Sequence, residues 1–178
     1  PRDGFFQANL YLTDRMVDEV CRLFEPGKVR TVIDACCGCG LFSLFLAPRI
    51  ELVIGIEIYD KSVDCARRNA GRQAVKNAEF ICGDASDVLN DLAKRADASD
   101  AVVLDPPRAG FDTRALQSII SIQPTDIIYI SCNPATQARD IRVFGEAGYD
   151  LRHLQPLDMF PQTQHIETIA CLSRRPAV

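Results

Sequence analysis

The 178-residue sequence has no apolar stretch approaching the roughly 18 residues of a membrane-spanning helix, and no secretory signal pattern opens it. It has no excess of basic residues. The 20 Lys and Arg against 24 Asp and Glu leave a net charge of −4. That argues against a module whose whole surface grips nucleic acid. Internal repeats, low-complexity segments and obvious linkers are absent. With 47% hydrophobic and 25% charged residues, disorder, collagen and coiled coil are excluded. The eight cysteines are too sparse for a disulfide scaffold. They read as free thiols in a reducing, cytoplasmic setting. Cys36 and Cys39 form a C-x-x-C, which leaves a redox pair or half a zinc site open beside a tight structural turn. No second C-x-x-C and no H-x₃₋₅-H completes a metal site. The length fits one domain, with on the order of two thirds of the unfolded surface buried.

Two hydrophobic periods alternate along the chain. Met16, Val17, Val20, Leu23 and Phe24 have helical spacing, stopped by Glu25-Pro26-Gly27. After Thr31–Asp34, an apolar strand, comes a Gly-rich turn and a helix over Leu41–Leu46. Strands over Leu52–Glu57, Glu79–Cys82, Ala101–Asp105 and Asp126–Cys132 alternate with helices over Lys61–Gln73, Ala85–Lys94, Thr113–Ser121 and Ala135–Ala147. Two final strands cover roughly Leu151–Leu157 and His165–Leu172. Five β-α units followed by a strand pair predict an α/β fold with a parallel sheet covered on both faces. Ligands of such sheets lie outside the carboxyl ends of the strands.

Acids mark those ends. Asp34 closes the first strand, Glu57 the second and Asp105 the fourth, and Asp84 lies just past the third. Gly38 and Gly40 sit where backbone must approach a ligand closely. The Gly38-x-Gly40-x-x-Ser43 pattern lacks the third glycine of a dinucleotide fingerprint. A row of carboxylates repels a pyrophosphate and attracts a cation, which favours S-adenosylmethionine, a sulfonium carrying an ammonium. Glu57 is placed for ribose hydroxyls, Asp84 for the adenine amino group, and Asp34 for the methionine end. The alternative is that these acids only cap the helices that follow them.

Three later segments carry reactive groups. Ser131-Cys132-Asn133-Pro134 sets a thiol at a helix start, where the helix dipole is expected to lower its pKa; a merely buried strand-end cysteine is the alternative. In Leu104–Gly110 two prolines stiffen the backbone beside Asp105. His165 and Glu167, two apart, are expected on one strand face, which is also how exposed edge-strand residues look.

Together the segments FFQAN (5–9), DACCGCG (34–40), GIE (55–57), DPPRAG (105–110), SCNPATQARD (131–140) and DMFPQTQHIE (158–167) resemble the RNA 5-methyluridine methyltransferase family. They follow the family's order over nearly the whole chain. The resemblance implies a class I, Rossmann-like S-adenosylmethionine-dependent methyltransferase fold, with seven mostly parallel strands and the last antiparallel. Cys132 would then add to C6 of a uracil in tRNA or rRNA, and Glu167 would remove the C5 proton. Gln7, Glu57, Asp84 and Asp105 would contact S-adenosylmethionine, with Asp105 also near the uracil. Two positions depart from the pattern: Cys36 stands where the family usually has an aromatic, and Leu41 where it has a polar residue. Family members generally carry RNA-binding modules before this region, so the chain is expected to be the catalytic portion of a longer protein. The competing readings are a class I methyltransferase that uses no cysteine on a small molecule or protein, and a cofactor- or NAD-binding domain without activity.

Overall fold

In a computed structural model that describes residues 10–24, 27–94, 99–159, 161–163 and 165–176, the elements alternate as the two periods predict. They run α1 (Leu10–Arg22), β1 (Thr31–Ala35), α2 (Leu41–Leu46), β2 (Leu52–Glu57), α3 (Asp60–Arg72), β3 (Ala78–Cys82) and α4 (Ala85–Lys94), then β4 (Ala101–Leu104), α5 (Thr113–Ile122), β5 (Asp126–Ser131), α6 (Pro134–Glu146), β6 (Tyr149–Leu157) and β7 (Glu167–Arg174). The first helix begins earlier than its apolar stripe suggested, and Glu25 and Pro26 lie outside the described residues.

The strand order is β3-β2-β1-β4-β5-β7-β6. Pairing is parallel from β3 through β5, and β7 runs antiparallel to both β5 and β6. Successive strand residues face opposite sides of a sheet, so each apolar pair feeds both layers. Val32, Val53, Val103 and Ile128 meet Met16, Phe24 and Leu46 on one face. Ile33, Ile56, Val102 and Tyr129 meet Leu89, Ile119 and Phe144 on the other.

Two consequences of this order place the site. The chain moves outward from β1 to β3, then returns to lay β4 on the other side of β1, so a crevice opens at the carboxyl ends of β1 and β4. The reversal of β7 brings its first residue, Glu167, to that same edge.

Candidate active site

Beyond β1 the backbone turns through Cys36 (φ 65°), Gly38 (φ 56°) and Gly40 (φ 85°), the left-handed region where glycine is strain-free. Gly40 is also packed tightly: a Cβ there would lie 3.3 Å from Ala66 and the Phe80 ring. Asp34 is fully buried and accepts from the Ser43 N–H at 2.9 Å and from the Ser43 hydroxyl. Its other oxygen, Oδ1, has no hydrogen-bond partner among the described residues. The Glu57 carboxylate accepts from the Gly38 N–H at 3.0 Å and the Tyr59 N–H at 2.9 Å, pinning the glycine turn to the end of β2. Asp84 is exposed and accepts from the Ser86 N–H at 2.8 Å. The capping alternative therefore holds locally, since Asp34 braces α2 and Asp84 braces α4.

The carboxylates nevertheless share one neighbourhood. The Cys36 thiol is pushed up to about 12, by burial first and then by Asp105, Glu57, Asp34 and Asp84. The carboxyls act on one another in the same direction. Burial raises Asp34 to about 7, against its Ser43 hydrogen bonds and with help from Glu57. Burial, then Glu167 and Asp34, raise Asp105 to about 8. At the two departures from the family pattern, Cys36 and Leu41 are partly buried and pack against the two core layers.

The other half of the site lies where β5 meets β7. Ser131 pairs with Thr168, so extending the register by one residue sets Cys132 beside Glu167. Glu167 is buried and Cys132 partly exposed. Both are pushed up by burial, and Arg108 opposes the shift in each. Glu167 raises Cys132 further, as does Asp105, while the thiol's own backbone N–H lowers it. The expected depression of the Cys132 pKa is thus corrected. Asn133, not the cysteine, is the N-cap, accepting from the Ala135 N–H at 3.2 Å, and burial with two carboxylates outweighs the helix end. A second correction concerns His165. Strand β7 begins at Glu167, and His165 lies in the preceding segment, its N–H donated to the Thr163 hydroxyl.

Sequence reading missed the residues that hold this half together. Asp140 is fully buried, and its Oδ2 accepts from the Tyr129 hydroxyl at 2.7 Å and the Phe111 N–H at 3.1 Å. Arg139 donates to Asp140 and to the Ala109 and Phe111 carbonyls. Asn133 and Thr136 both donate to the Arg108 carbonyl. Gly110 (φ 73°) fits because a Cβ there would stand 2.6 Å from Asp140 Oδ2. The signal was available: Asn133, Thr136, Gln137 and Asp140 make a polar stripe at i, i+3, i+4, i+7, the spacing of a helix face turned toward the sheet.

The remaining assignments fall out simply. Gln7 lies outside the described residues. All eight cysteines are free thiols, and the Cys39 thiol is pushed up by burial first and then by neighbouring Cys65. Among the described residues, no group of three His, Cys, Asp or Glu could hold a metal ion. Arg67 donates to the Phe80 carbonyl at 2.8 Å, with Asp64 alongside. No helix among the described residues is long and apolar enough to cross a membrane.

Comparison with known proteins gives a consistent result. A family model described as tRNA (uracil-5-)-methyltransferase matches residues 1–175. An uncharacterised RNA methyltransferase of Bacillus cereus is 42% identical over 171 residues, covering 96% of this chain and 37% of the relative. The solved structure of a Pyrococcus abyssi tRNA (uracil-54, C5)-methyltransferase in complex with S-adenosyl-L-homocysteine superposes with a TM-score of 0.82 at 34% identity, over 96% of this chain and 40% of that one. A magnesium protoporphyrin IX methyltransferase from Synechocystis, solved with S-adenosylmethionine bound, shares the fold alone, with a TM-score of 0.67 at 20% identity over 96% of this chain and 86% of that one. The fold is that of class I methyltransferases. The chain spans well under half the length of the first two proteins it matches.

Proposed function

Because the chain belongs to the tRNA (uracil-5-)-methyltransferase family, we propose that residues 1–178 form a catalytic unit that methylates C5 of a uridine in RNA, using Cys132 as nucleophile, Glu167 as base and S-adenosylmethionine as methyl donor. The observation that carries this reading is the juxtaposition of Cys132 and Glu167 across the end of the β5–β7 pair, with Arg108 acting on both.

The cofactor edge fits a cationic ligand. Asp34 Oδ1 is a buried acceptor without a donor among the described residues, matched to an ammonium. Glu57 keeps lone pairs for ribose hydroxyls after accepting two backbone N–H bonds. Asp84 and Asp105 complete the rim, and Gly38 and Gly40 let backbone come close. When bound, S-adenosylmethionine supplies an electrophilic methyl group.

The chain's own residues do the rest. C5 of uracil is a poor nucleophile. When the Cys132 sulfur bonds to C6, the C5–C6 π electrons move into an enolate, and C5 becomes nucleophilic. After C5 is alkylated, Glu167 takes its proton, the electron pair restores the C5–C6 double bond, and the C6–S bond breaks to release the thiolate. Asp105 lies within the electrostatic reach of both Cys132 and Glu167, so it serves the uracil as well as the cofactor rim. A stacked uracil cannot admit groups at both faces, so the target must be extruded or already looped.

tRNA is the first substrate to test, since the Pyrococcus protein acts on uracil 54 of tRNA; rRNA is the second. The assay is methyl transfer into RNA, with release of tritium from C5 of the target uridine. Both signals are expected from the wild type, and neither from Cys132→Ala. Transfer undiminished by loss of both Cys132 and Glu167 would place the chain in a methyltransferase class that uses no cysteine.

A further inference from the structure

Helix α6 contacts each half of the proposed reaction through different side chains. Its first residues hold the backbone that carries Arg108: Asn133 Nδ2 and Thr136 Oγ1 donate to the Arg108 carbonyl at 3.0 and 3.1 Å. A turn later Arg139 donates to the Ala109 and Phe111 carbonyls, both at 3.1 Å, and Asp140 accepts from the Phe111 N–H. Between these groups, on the same face, Gln137 reaches the strands. Its Nε2 donates to the Tyr129 carbonyl on β5 at 2.8 Å and to the Thr168 carbonyl on β7 at 3.3 Å. Its Oε1 accepts from the Thr168 hydroxyl at 2.8 Å. Thr168 adjoins Glu167, and both are buried.

We propose that α6 is a positioning frame with two separable arms: Arg139 and Thr136 set Arg108 for the addition step, and the Gln137–Thr168 pair sets Glu167 for proton removal. Cys132 immediately precedes the N-cap, so the helix start fixes the nucleophile against which both arms are measured. None of these side chains touches the reacting atoms; they are positioning residues. The division has a chemical consequence. Addition to C6 needs the cation that favours the Cys132 thiolate. Proton removal needs the carboxylate on the neighbouring strand, after addition is complete. A displacement of about 1 Å in a reacting group costs up to about a hundredfold in rate, so loosening the Gln137–Thr168 arm slows proton removal and leaves addition nearly as fast, whereas loosening the Arg108 arm, which acts on both groups, slows addition first and so prevents adduct from accumulating.

This inference rests on the covalent reading above, and the experiment separates the two. RNA carrying 5-fluorouridine stops after addition and alkylation, because C5 then holds no removable proton, so its trapping rate reports the early steps. Adduct that accumulates on ordinary uridine RNA reports slow proton removal. Thr168→Val keeps the side-chain shape and deletes the hydroxyl. It is expected to cut turnover about tenfold, trap 5-fluorouridine RNA within about twofold of wild type, and accumulate adduct on ordinary RNA. Thr168→Ser, which restores the hydroxyl, is expected to restore turnover. Arg139→Gln, on an exposed side chain, is expected to slow trapping about tenfold without accumulating adduct on ordinary RNA. Equal slowing of both steps in each variant, or no rescue by Thr168→Ser, would overturn the two-arm frame and leave the covalent mechanism standing. A wild type that never traps 5-fluorouridine RNA would remove the covalent mechanism and the frame with it.

Discussion

Binding of a cation at the acidic rim should expel protons, and the two raised carboxyls set how many. With Asp34 at about 7 and Asp105 at about 8, Asp34 is half protonated at pH 7 and Asp105 about nine-tenths protonated. An ammonium beside Asp34 and a sulfonium beside Asp105 favour the carboxylates and return both toward the ordinary range near 4. Complete ionisation then releases about 1.4 protons per S-adenosylmethionine at pH 7 and about 0.1 at pH 9. The same linkage makes affinity rise roughly twentyfold between those pH values, because both carboxylates are ionised in under a tenth of molecules at pH 7 and in about nine tenths at pH 9. Calorimetry in two buffers of different ionisation enthalpy, repeated at pH 7 and pH 9, gives both numbers. Asp34→Asn removes one site and also relieves Asp105 of the Asp34 charge, so the release at pH 7 should fall below about 0.9. No proton release at pH 7, or a release as large at pH 9, would refute the raised pKa values of Asp34 and Asp105.

Other outcomes follow from the same geometry. Without ligand, the raised pKa of Asp34 means that the folded state favours its protonated form. The associated stability is fully present below about pH 4 and is lost as pH rises through about 7, on the order of 4 kcal/mol in all. Urea midpoints that fall over that window in the wild type, and fall less in Asp34→Asn, check this; parallel curves would contradict it. Gly110→Ala combines a left-handed φ with a Cβ 2.6 Å from Asp140 Oδ2. It should cost about 1–3 kcal/mol in a denaturation curve and reduce trapping of 5-fluorouridine RNA more than it weakens S-adenosylhomocysteine binding. RNA binding by this chain should be weaker than low micromolar in physiological salt. With about two phosphate contacts it should fall roughly tenfold from 50 to 200 mM salt. Tighter binding with a flat salt profile in a filter assay would show that net charge misled.

The sheet was legible in sequence because its strands are short apolar runs between strong stop signals. β2 and α4 occupy Leu52–Glu57 and Ala85–Lys94, the ranges expected. The acids at strand ends were legible for the same reason, since a parallel sheet sends every β-α turn to one edge. What escaped notice depended on contacts distant in sequence. The start of β7 is fixed by the end of its partner, with Thr168 opposite Ser131, and the alternation of His165 and Glu167 carries no information about that limit. The Cys132 shift comes from burial first and then from Glu167, 35 positions away in sequence, neither of which local helix-end reasoning includes. The α6 stripe drew no reading because its partners on β5, β7 and the 106–111 loop are distant in sequence.

Cys132 is expected to bond covalently to the target uracil. The most direct measurement is mass-spectrometric mapping of the protein–RNA adduct formed with 5-fluorouridine RNA and S-adenosylmethionine. One cross-link is expected, on the peptide carrying Cys132, absent in Cys132→Ala and retained in Cys36→Ser. An adduct on any other residue, or equal trapping by Cys132→Ala, would contradict it.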